Sequence, residues 1–398
     1  MPKNVYQRLK RAFKTQLSVY RWRSLLSMVL GLMVQEGRKT LTELALLVSV
    51  SALSRTFTAD DWSQPASRSL RRHHIEMAIV THHLNRRGRR PTIYLFIDAT
   101  VLPKRGQELP QLGWHYDSCT DSVTWGQKLV IAAVGVGVGE IVAPWDWRNY
   151  VNKRFVKEED FRKQTELTAG LIRAFQPPYG GKVVVVVDCS LLAEPVIEAA
   201  MGCGYGLVSY VRENRRLADG RYARAAATGE GACLNGMEIP LQIVHMVRGG
   251  RHYTVVTTLT ELGAMPIRHH MRRRDWIEKL IKELKQRFGL EDCQCRGEGS
   301  LERWVELVWL AYVLAVEQCW AEKHNGRWNG ADEAGAGVTS WWTSQRGIGH
   351  AVMWGMKRDG LGLRVRRRLS HYLKAEASWL EPLLDGQMKQ GQGGLMPV

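Results

Sequence analysis

Two aspartates each follow a run of apolar residues typical of a buried strand. Asp98 follows Thr92–Ile97, and Asp188 follows a run of five consecutive valines, Val183–Val187. If the two strands are parallel neighbours, both carboxylates lie at the same sheet edge, where ligand sites of such sheets occur. The carboxylates would repel each other unless a cation lay between them, and hard oxygen ligands favour Mg²⁺ or Mn²⁺ over zinc. For either aspartate alone, a turn-capping role is the simpler interpretation.

A third carboxylate comes from a later segment with helical periodicity, which offers Glu278 and Glu283. Arg274, Glu278 and Lys285 are spaced by four and seven residues, so they share one helix face, whereas Glu283 points elsewhere. A surface ladder of salt bridges is the alternative. If Glu278 completes a metal site, two metal ions about 3.5–4 Å apart would serve the attacking and leaving oxygens of an in-line displacement. Arg274 and Lys285 would then bind DNA phosphates beside the reacting bond.

The composition favours a nucleic-acid partner. The chain has 398 residues, a formal net charge of +17 and 45% hydrophobic residues, so it is a folded protein and not a basic tail. Residues 1–90 hold 17 Lys and Arg against 5 Asp and Glu, an excess of 12 positive charges. A membrane surface and plain solubility are the alternatives, but no run reaches the roughly 18 apolar residues of a spanning helix. Seven cysteines without a Cys-x-x-Cys spacing favour a reducing, cytoplasmic setting.

The elements around the carboxylates predict an α/β fold with a mixed sheet and helices on its faces. After the first strand we expect a hairpin of Lys128–Val134 and Glu140–Pro144, then a helix, the valine strand, a second helix and a short strand. The two helices are predicted at 157–175 and 194–202, and the short strand at 206–210. Residues 211–268 predict a β-rich insertion, and helical periodicity returns at about 269–288 and ends at Gly289.

Three domains follow from these patterns. Residues 1–90 predict a helical, basic DNA-binding region, with a possible helix-turn-helix at 40–57. A small helical bundle that only packs on the catalytic domain is the alternative. The basic, turn-prone run Arg86–Pro91 marks the boundary to a catalytic domain at 91–325, which ends with a buried helix at about 301–320. Residues 326–398 form a carboxy-terminal extension.

The spacing of Arg274, Glu278 and Lys285 resembles the Tyr-(2)-Arg-(3)-Glu-(6)-Lys signature of DDE insertion-sequence transposases. The settings of the two aspartates, Ile97–Thr100 and Val187–Ser190, resemble that superfamily as well, and the resemblance covers about residues 90–325. The position of the signature tyrosine holds Met271, so a phosphate or sugar contact is missing there. Arg272 and Arg273 are candidates to replace it. The Trp of close relatives is shifted to Trp276, to which we assign no base-stacking role.

The resemblance implies a ribonuclease-H-like catalytic domain with a β-rich insertion between the second Asp and the Glu. It implies that Asp98, Asp188 and Glu278 are catalytic and hold two Mg²⁺ or Mn²⁺ ions. The reaction would be hydrolysis at the ends of a mobile element, which frees 3′-hydroxyls that then attack target DNA.

The expected partner is double-stranded DNA, both the inverted-repeat ends and the target. Acting on two ends implies at least a homodimer on DNA. Beside Arg274 and Lys285, the run after Asp98 offers Lys104 and Arg105 as DNA contacts, with a solvated loop as the alternative. Two other functions stay open: a catalytically idle relative that acts as a repressor or transcription factor, and a nuclease of the same fold that performs no strand transfer.

Overall fold

The computed structural model describes residues 13, 17–35, 37–45, 48–58, 67–73, 75–76, 92–117, 120–136, 141–177, 181–294, 296–297 and 299–324. The side chains of residues 34, 141 and 315–324 are outside this description. The predicted basic boundary at 86–91 and the extension at 326–398 also lie outside it.

A mixed sheet of nine strands forms the centre of the protein. The strands are β1 (Thr92–Pro103), β2 (Gly113–Asp117), β3 (Ser122–Val136), β4 (Ile141–Tyr150), β5 (Lys182–Val187), β6 (Gly206–Val211), β7 (Gly231–Cys233), β8 (Pro240–Arg248) and β9 (Arg251–Thr257). Their order is β2-β3-β1-β5-β6-β9-β8-β7, and β4 pairs with β3. Because β5 and β6 run parallel to β1 while β3 and β4 alternate in direction, the arrangement is consistent with the predicted ribonuclease-H-like fold.

The pairing of β1 with β5 decides where the two aspartates lie. All five valines of β5 are buried, as expected for a strand covered on both faces. In the parallel register, Ile97 pairs with Val187. Asp98 follows Ile97 and Asp188 follows Val187, so the two aspartates lie side by side on neighbouring strands. The predicted convergence of the two carboxylates follows from this register.

Residues 211–268, predicted to be a β-rich insertion, contain β7, β8 and β9. Strand β9 pairs antiparallel with β6, and β8 pairs with β9. These strands therefore continue the main sheet instead of forming a separate one. Short turns with positive φ at Gly249 and Gly250 connect β8 to β9, which requires residues without a Cβ.

Besides helical residues at 13, 67–73 and 75–76, eight α-helices with defined bounds accompany the sheet within the described ranges. They are α1 (Val19–Val34), α2 (Leu41–Leu44), α3 (Val50–Thr58), α4 (Gln164–Ala174), α5 (Glu194–Gly202), α6 (Ala264–Arg272), α7 (Asp275–Gln286) and α8 (Ser300–His324). None of the helices in this part of the chain has the length and apolar character needed to cross a bilayer.

Two predicted helices differ from the observed ones. The helix predicted at 157–175 begins only at Gln164, because a 3-10 turn occupies Glu158–Asp160 and the backbone N–H of Lys163 donates to Glu166 Oε2 at 2.8 Å. The helix predicted at 269–288 is divided into α6 and α7 by a tight turn. In that turn the N–H of Arg274 donates to the carbonyl of Met271, three residues back.

The amino-terminal helices α1 and α3 pack against α8. Helix α1 contributes buried apolar residues to the core cluster that includes the sheet. A buried ion pair joins Arg71 Nη2 to Glu306 Oε2 of α8 at 2.9 Å, and both side chains are fully buried. Trp147 Nε1 of β4 donates to the same carboxylate at 3.2 Å. The helical region is therefore anchored to the sheet, while its predicted DNA-binding role stays a prediction.

Candidate active site

Three carboxylates surround one guanidinium group at the carboxyl end of β5. Arg274 Nη2 lies 2.9 Å from Asp188 Oδ1 and 3.9 Å from Asp98 Oδ2, and Nη1 lies 2.6 Å from Glu278 Oε1. The Asp98, Asp188 and Arg274 side chains are 17%, 21% and 19% exposed, whereas Glu278 is 50% exposed. The site is thus closed at the sheet and open toward solvent at the helix.

Local hydrogen bonds orient the two aspartates. The N–H of Ala99 donates to Asp98 Oδ1 at 2.8 Å. Ser190 donates to Asp188 Oδ2 from its backbone N–H at 3.1 Å and from its hydroxyl at 2.8 Å. Asp188 therefore forms the turn-capping contact that its sequence position predicts, and its second oxygen still contacts Arg274.

The turn between α6 and α7 positions Arg274 at the start of α7. Glu278 lies one helical turn later, in the first turn of α7, where a helix favours negative charge. Asp275, next to Arg274, forms a two-pronged ion pair with Arg248 of β8, which holds the start of α7 against the sheet. The guanidinium carbon of Arg274 also lies 5.9 Å from the centre of the Tyr210 ring.

The two aspartates have opposite pKa shifts. Burial raises the pKa of Asp98 to about 6, against the lowering effect of Arg274, and the nearby Asp188 and Glu278 carboxylates raise it further. Burial also opposes ionisation of Asp188, but Arg274 and the hydrogen bonds from Ser190 outweigh it, so the pKa of Asp188 is lowered. The Asp98 carboxyl is therefore harder to ionise than an ordinary aspartate, and the Asp188 carboxyl is easier to ionise.

The residue types suit a hard divalent cation, because all three ligands are carboxylates and all three already contact one shared positive charge. The guanidinium of Arg274 lies between the three carboxylates. Across the described ranges, no group of three or more His, Cys, Asp or Glu side chains is close enough together to hold a metal ion. Carboxylate oxygens are the donors that a hard divalent cation prefers, but in this arrangement the cation that the three carboxylates contact is the guanidinium of Arg274.

The two other lysines predicted to bind DNA contact groups other than the three carboxylates. Lys285 Nζ donates to the carbonyl of Val101 at 2.7 Å and pairs with Glu291 at 2.8 Å. Lys104 Nζ donates to the carbonyls of Glu291 and Cys293 at 2.6 and 2.9 Å, and burial lowers the pKa of its amine. Both lysines therefore have internal partners, while Arg105 is exposed.

Of the two residues considered as replacements for the signature tyrosine, only one is exposed. Met271 itself is fully buried. Arg273 is 7% exposed and stacks over the rings of Tyr94 and Trp276 at 4.8 and 5.3 Å. Arg272 is exposed on the surface of α6. Trp276 packs against Phe96 of β1, with ring centroids 5.7 Å apart, so its contacts are internal.

A cavity of about 510 Å³, which was not predicted from the sequence, opens beside Asp188. It begins at Cys189 and Ser190, the two residues after Asp188, and Arg212, Arg215 and Arg216 line its other side. Two features of the sequence point to this segment: three arginines lie within residues 212–216, and residues 211–214 belong to the stretch after Asp188 that resembles the DDE superfamily. Nothing in the sequence alone places that run beside Asp188, because their proximity depends on the pairing of β5 with β6.

Comparison with protein families gives a match to the first part of the chain. Residues 10–178 match the family described as DDE superfamily endonuclease. The matched range includes β1 with Asp98 and ends before β5, so Asp188 and the Arg274–Lys285 signature lie outside it. A comparison with curated proteins gives no match for this chain. The family match, together with the mixed sheet, supports a DDE-type transposase or endonuclease, a class that acts on DNA.

Proposed function

We propose that this protein is the DNA transposase of an insertion sequence, which cleaves the ends of its element and joins them to target DNA. The observation that carries the proposal is the meeting of Asp98, Asp188 and Glu278 around Arg274, at the edge of a ribonuclease-H-like sheet. The family match over residues 10–178 adds independent support for the enzyme class.

In this proposal, Asp98, Asp188 and Glu278 would hold two divalent cations. These ions, when bound, would supply charge stabilisation for the attacking and leaving oxygens of an in-line displacement at phosphorus. The well-ionised Asp188 offers a ligand whose charge is already formed. Glu278, half exposed on α7, is the carboxylate nearest to solvent and thus to an approaching strand.

Arg274 has two roles in the proposed reaction. In the metal-free protein, the single positive charge of its guanidinium offsets part of the negative charge of three carboxylates that repel both one another and DNA. During the reaction it would bind a phosphate oxygen of the substrate, because a guanidinium matches phosphate as well as it matches a carboxylate. Lys285, which contacts the carbonyl of Val101, would instead position α7 against β1.

The substrate would be double-stranded DNA, in keeping with the net charge of +17. Because a transposase joins two element ends to one target, we expect at least a homodimer on DNA. Exposed Arg105 and Arg272 are further candidate phosphate contacts at the surface.

The test uses DNA fragments that flank the gene, with one candidate inverted repeat at each end. Purified protein is incubated with these fragments in Mg²⁺, and cleavage is mapped on both strands. We expect Asp188→Ala to abolish cleavage while Asp160→Ala, an exposed carboxylate on a 3-10 turn, leaves it unchanged. Cleavage that survives in Asp188→Ala would refute the mechanism.

A second arm separates the proposed transposase from the two other functions. Pre-cut ends are incubated with a supercoiled target plasmid, and joined products are detected by sequencing the junctions. Joining supports a transposase. Cleavage without joining would favour a nuclease of the same fold, and binding without cleavage in Mg²⁺ or Mn²⁺ would favour an idle DNA-binding relative.

A further inference from the structure

The cavity beside Asp188 has the composition of an anion site. Six polar residues line it: Ser190, Arg212, Asn214, Arg215, Arg216 and Asn235. Arginine and asparagine side chains and the serine hydroxyl all carry hydrogen-bond donors. Few apolar side chains contribute, so the cavity does not suit an apolar ligand.

The three arginines of the cavity have no acidic partners within the described part of the chain. Arg215 donates to the carbonyl of Asn235 at 2.9 Å, and Arg216 donates to the carbonyl of Gly220 at 2.9 Å. The Arg212 side chain contacts the thiol of Cys189. Elsewhere in the same region, Arg221 pairs with Asp219 and Glu230. Among the described residues, no carboxylate therefore forms an ion pair with the cavity arginines, whereas the neighbouring Arg221 has two such partners.

The contacts of the arginines also orient them before any ligand binds. Arg216 stacks on the Tyr222 ring at 4.7 Å, and the carbonyl contacts of Arg215 and Arg216 restrict their rotation. Ordering a free arginine side chain on binding costs rotamer entropy. Because part of this cost is already met on folding, the cavity is prepared for a charged ligand.

The cavity shares a residue with the candidate active site. Ser190 donates twice to Asp188 and also lines the cavity. Two residues of chain span at most about 7 Å, so the cavity lies within that distance of Asp188 along the backbone. A DNA strand whose reacting phosphate lies at the three carboxylates would therefore bring a neighbouring phosphate to this cavity.

We propose that the cavity binds a backbone phosphate of the DNA strand that passes the carboxylates, and that Arg212 and Arg215 are its principal ligands. This inference rests on the proposed function, since it assigns the path of the substrate beside Asp188. It adds a binding site on the β6 side of the sheet to the phosphate contacts expected from α7.

The test measures DNA binding in EDTA, so that no cleavage occurs. Fluorescence anisotropy of a labelled end-containing duplex is recorded over a series of salt concentrations for wild type, Arg215→Ala and Arg212→Ala. Each lost phosphate contact should reduce the magnitude of the salt slope by about 0.9. Affinity at fixed salt should fall about tenfold or more. Arg215→Lys, which keeps the charge, should retain the slope.

Arg173→Ala is the matched control. Arg173 is an exposed residue near the end of α4, just before β5 begins, at the opposite end of the strand from Asp188. The Arg173→Ala variant loses one positive charge outside the cavity, so the salt slope of its DNA binding should equal that of wild type. Thermal melting of each variant identifies any loss of fold, and Arg212→Ala provides the measurement if Arg215→Ala unfolds.

A second measurement locates the phosphate. Duplexes with a single neutral methylphosphonate are bound by wild type and by Arg215→Ala. A position at which the modification weakens wild type, but not the variant, identifies the phosphate that contacts Arg215. A wild-type slope in both arginine variants would overturn the inference even if cleavage occurs. Reduced slopes in a protein that never cleaves DNA would instead refute the proposed function and leave the phosphate site standing.

Discussion

Replacement of Asp98 by asparagine should stabilise the metal-free protein at high pH. The pKa of Asp98 is raised to about 6 from an ordinary value of 3.8, mainly by burial. Between these two values the folded protein holds a proton that the unfolded chain has lost, so stability falls as the pH rises through this window. Two pKa units correspond to about 3 kcal/mol, which is the upper limit of the cost above pH 6. Asparagine never ionises and avoids this cost.

The matched variant Asp188→Asn should change stability in the opposite direction. The pKa of Asp188 is lowered, so its ionised form contributes stability above the ordinary pKa and loses it as the pH falls. At pH 8 this variant should therefore be less stable than wild type. Two side chains on neighbouring strands, of the same type and with similar exposure, thus give opposite results.

Urea unfolding from pH 4 to pH 8 in EDTA measures both effects. The gain of Asp98→Asn should be near zero at pH 4 and largest at pH 8. Added Mg²⁺ should reduce the gain, since a bound cation compensates the Asp98 charge only in wild type. A lower stability of Asp98→Asn than of wild type at pH 8, or a gain independent of pH, would refute the electrostatic reasoning.

Three further predictions concern contacts around the site and the fold. Arg274→Ala should lower the metal-free melting temperature, because three carboxylates lose their shared cation, and Mg²⁺ should then stabilise the variant more than wild type in thermal melts. Glu306→Gln should cost about 3–5 kcal/mol in urea unfolding, because the buried Arg71 loses its charged partner; an unchanged midpoint would contradict this. Gly126→Ala should cost more than about 4 kcal/mol, because its Cβ would lie 2.2 Å from the carbonyl oxygen of Leu102; the open position Gly231→Ala is the control in the same melts.

The meeting of Asp98 and Asp188 could be predicted from local sequence. Strongly apolar β-type runs end at both residues, and parallel neighbours in a ribonuclease-H-like sheet bring such ends together. The register of Ile97 opposite Val187 is the step that the sequence does not contain, because it depends on pairing between segments about 90 residues apart. The expectation that these two strands are neighbours in the sheet came from the resemblance to a known family.

Helical spacing was less informative about Lys285. Helical spacing placed Arg274, Glu278 and Lys285 on one face of a helix. It does not show which part of the protein each of these residues contacts. Arg274 and Glu278 face the two aspartates, whereas Lys285, two turns further, faces the carbonyl of Val101 on β1. Periodicity also did not reveal the break before Asp275, since the tight turn at Arg273 and Arg274 keeps both flanking segments helical.

Strand β2 and the arginine cavity were missed for related reasons. Strand β2 has only five residues, Gly113–Asp117, and alternates between buried and exposed positions, which is a weak signal over so short a span. The cavity combines residues that follow β5 with residues that follow β6. The sequence shows the three arginines at 212–216 as a cluster, but Ser190, which lines the same cavity, belongs to a different segment of the chain.

The positions of the three carboxylates along the chain have a consequence for biosynthesis. Asp188 is 90 residues after Asp98, and Glu278 is 90 residues after Asp188. At a synthesis rate of about 5–20 residues per second, each interval corresponds to roughly 5–18 seconds on the ribosome. A nascent chain can pair β1 with β3 early, yet it lacks the last carboxylate and its arginine until α7 has emerged. The candidate site is therefore completed only after all the described strands of the sheet have been synthesised, and fragments from interrupted translation carry an incomplete site.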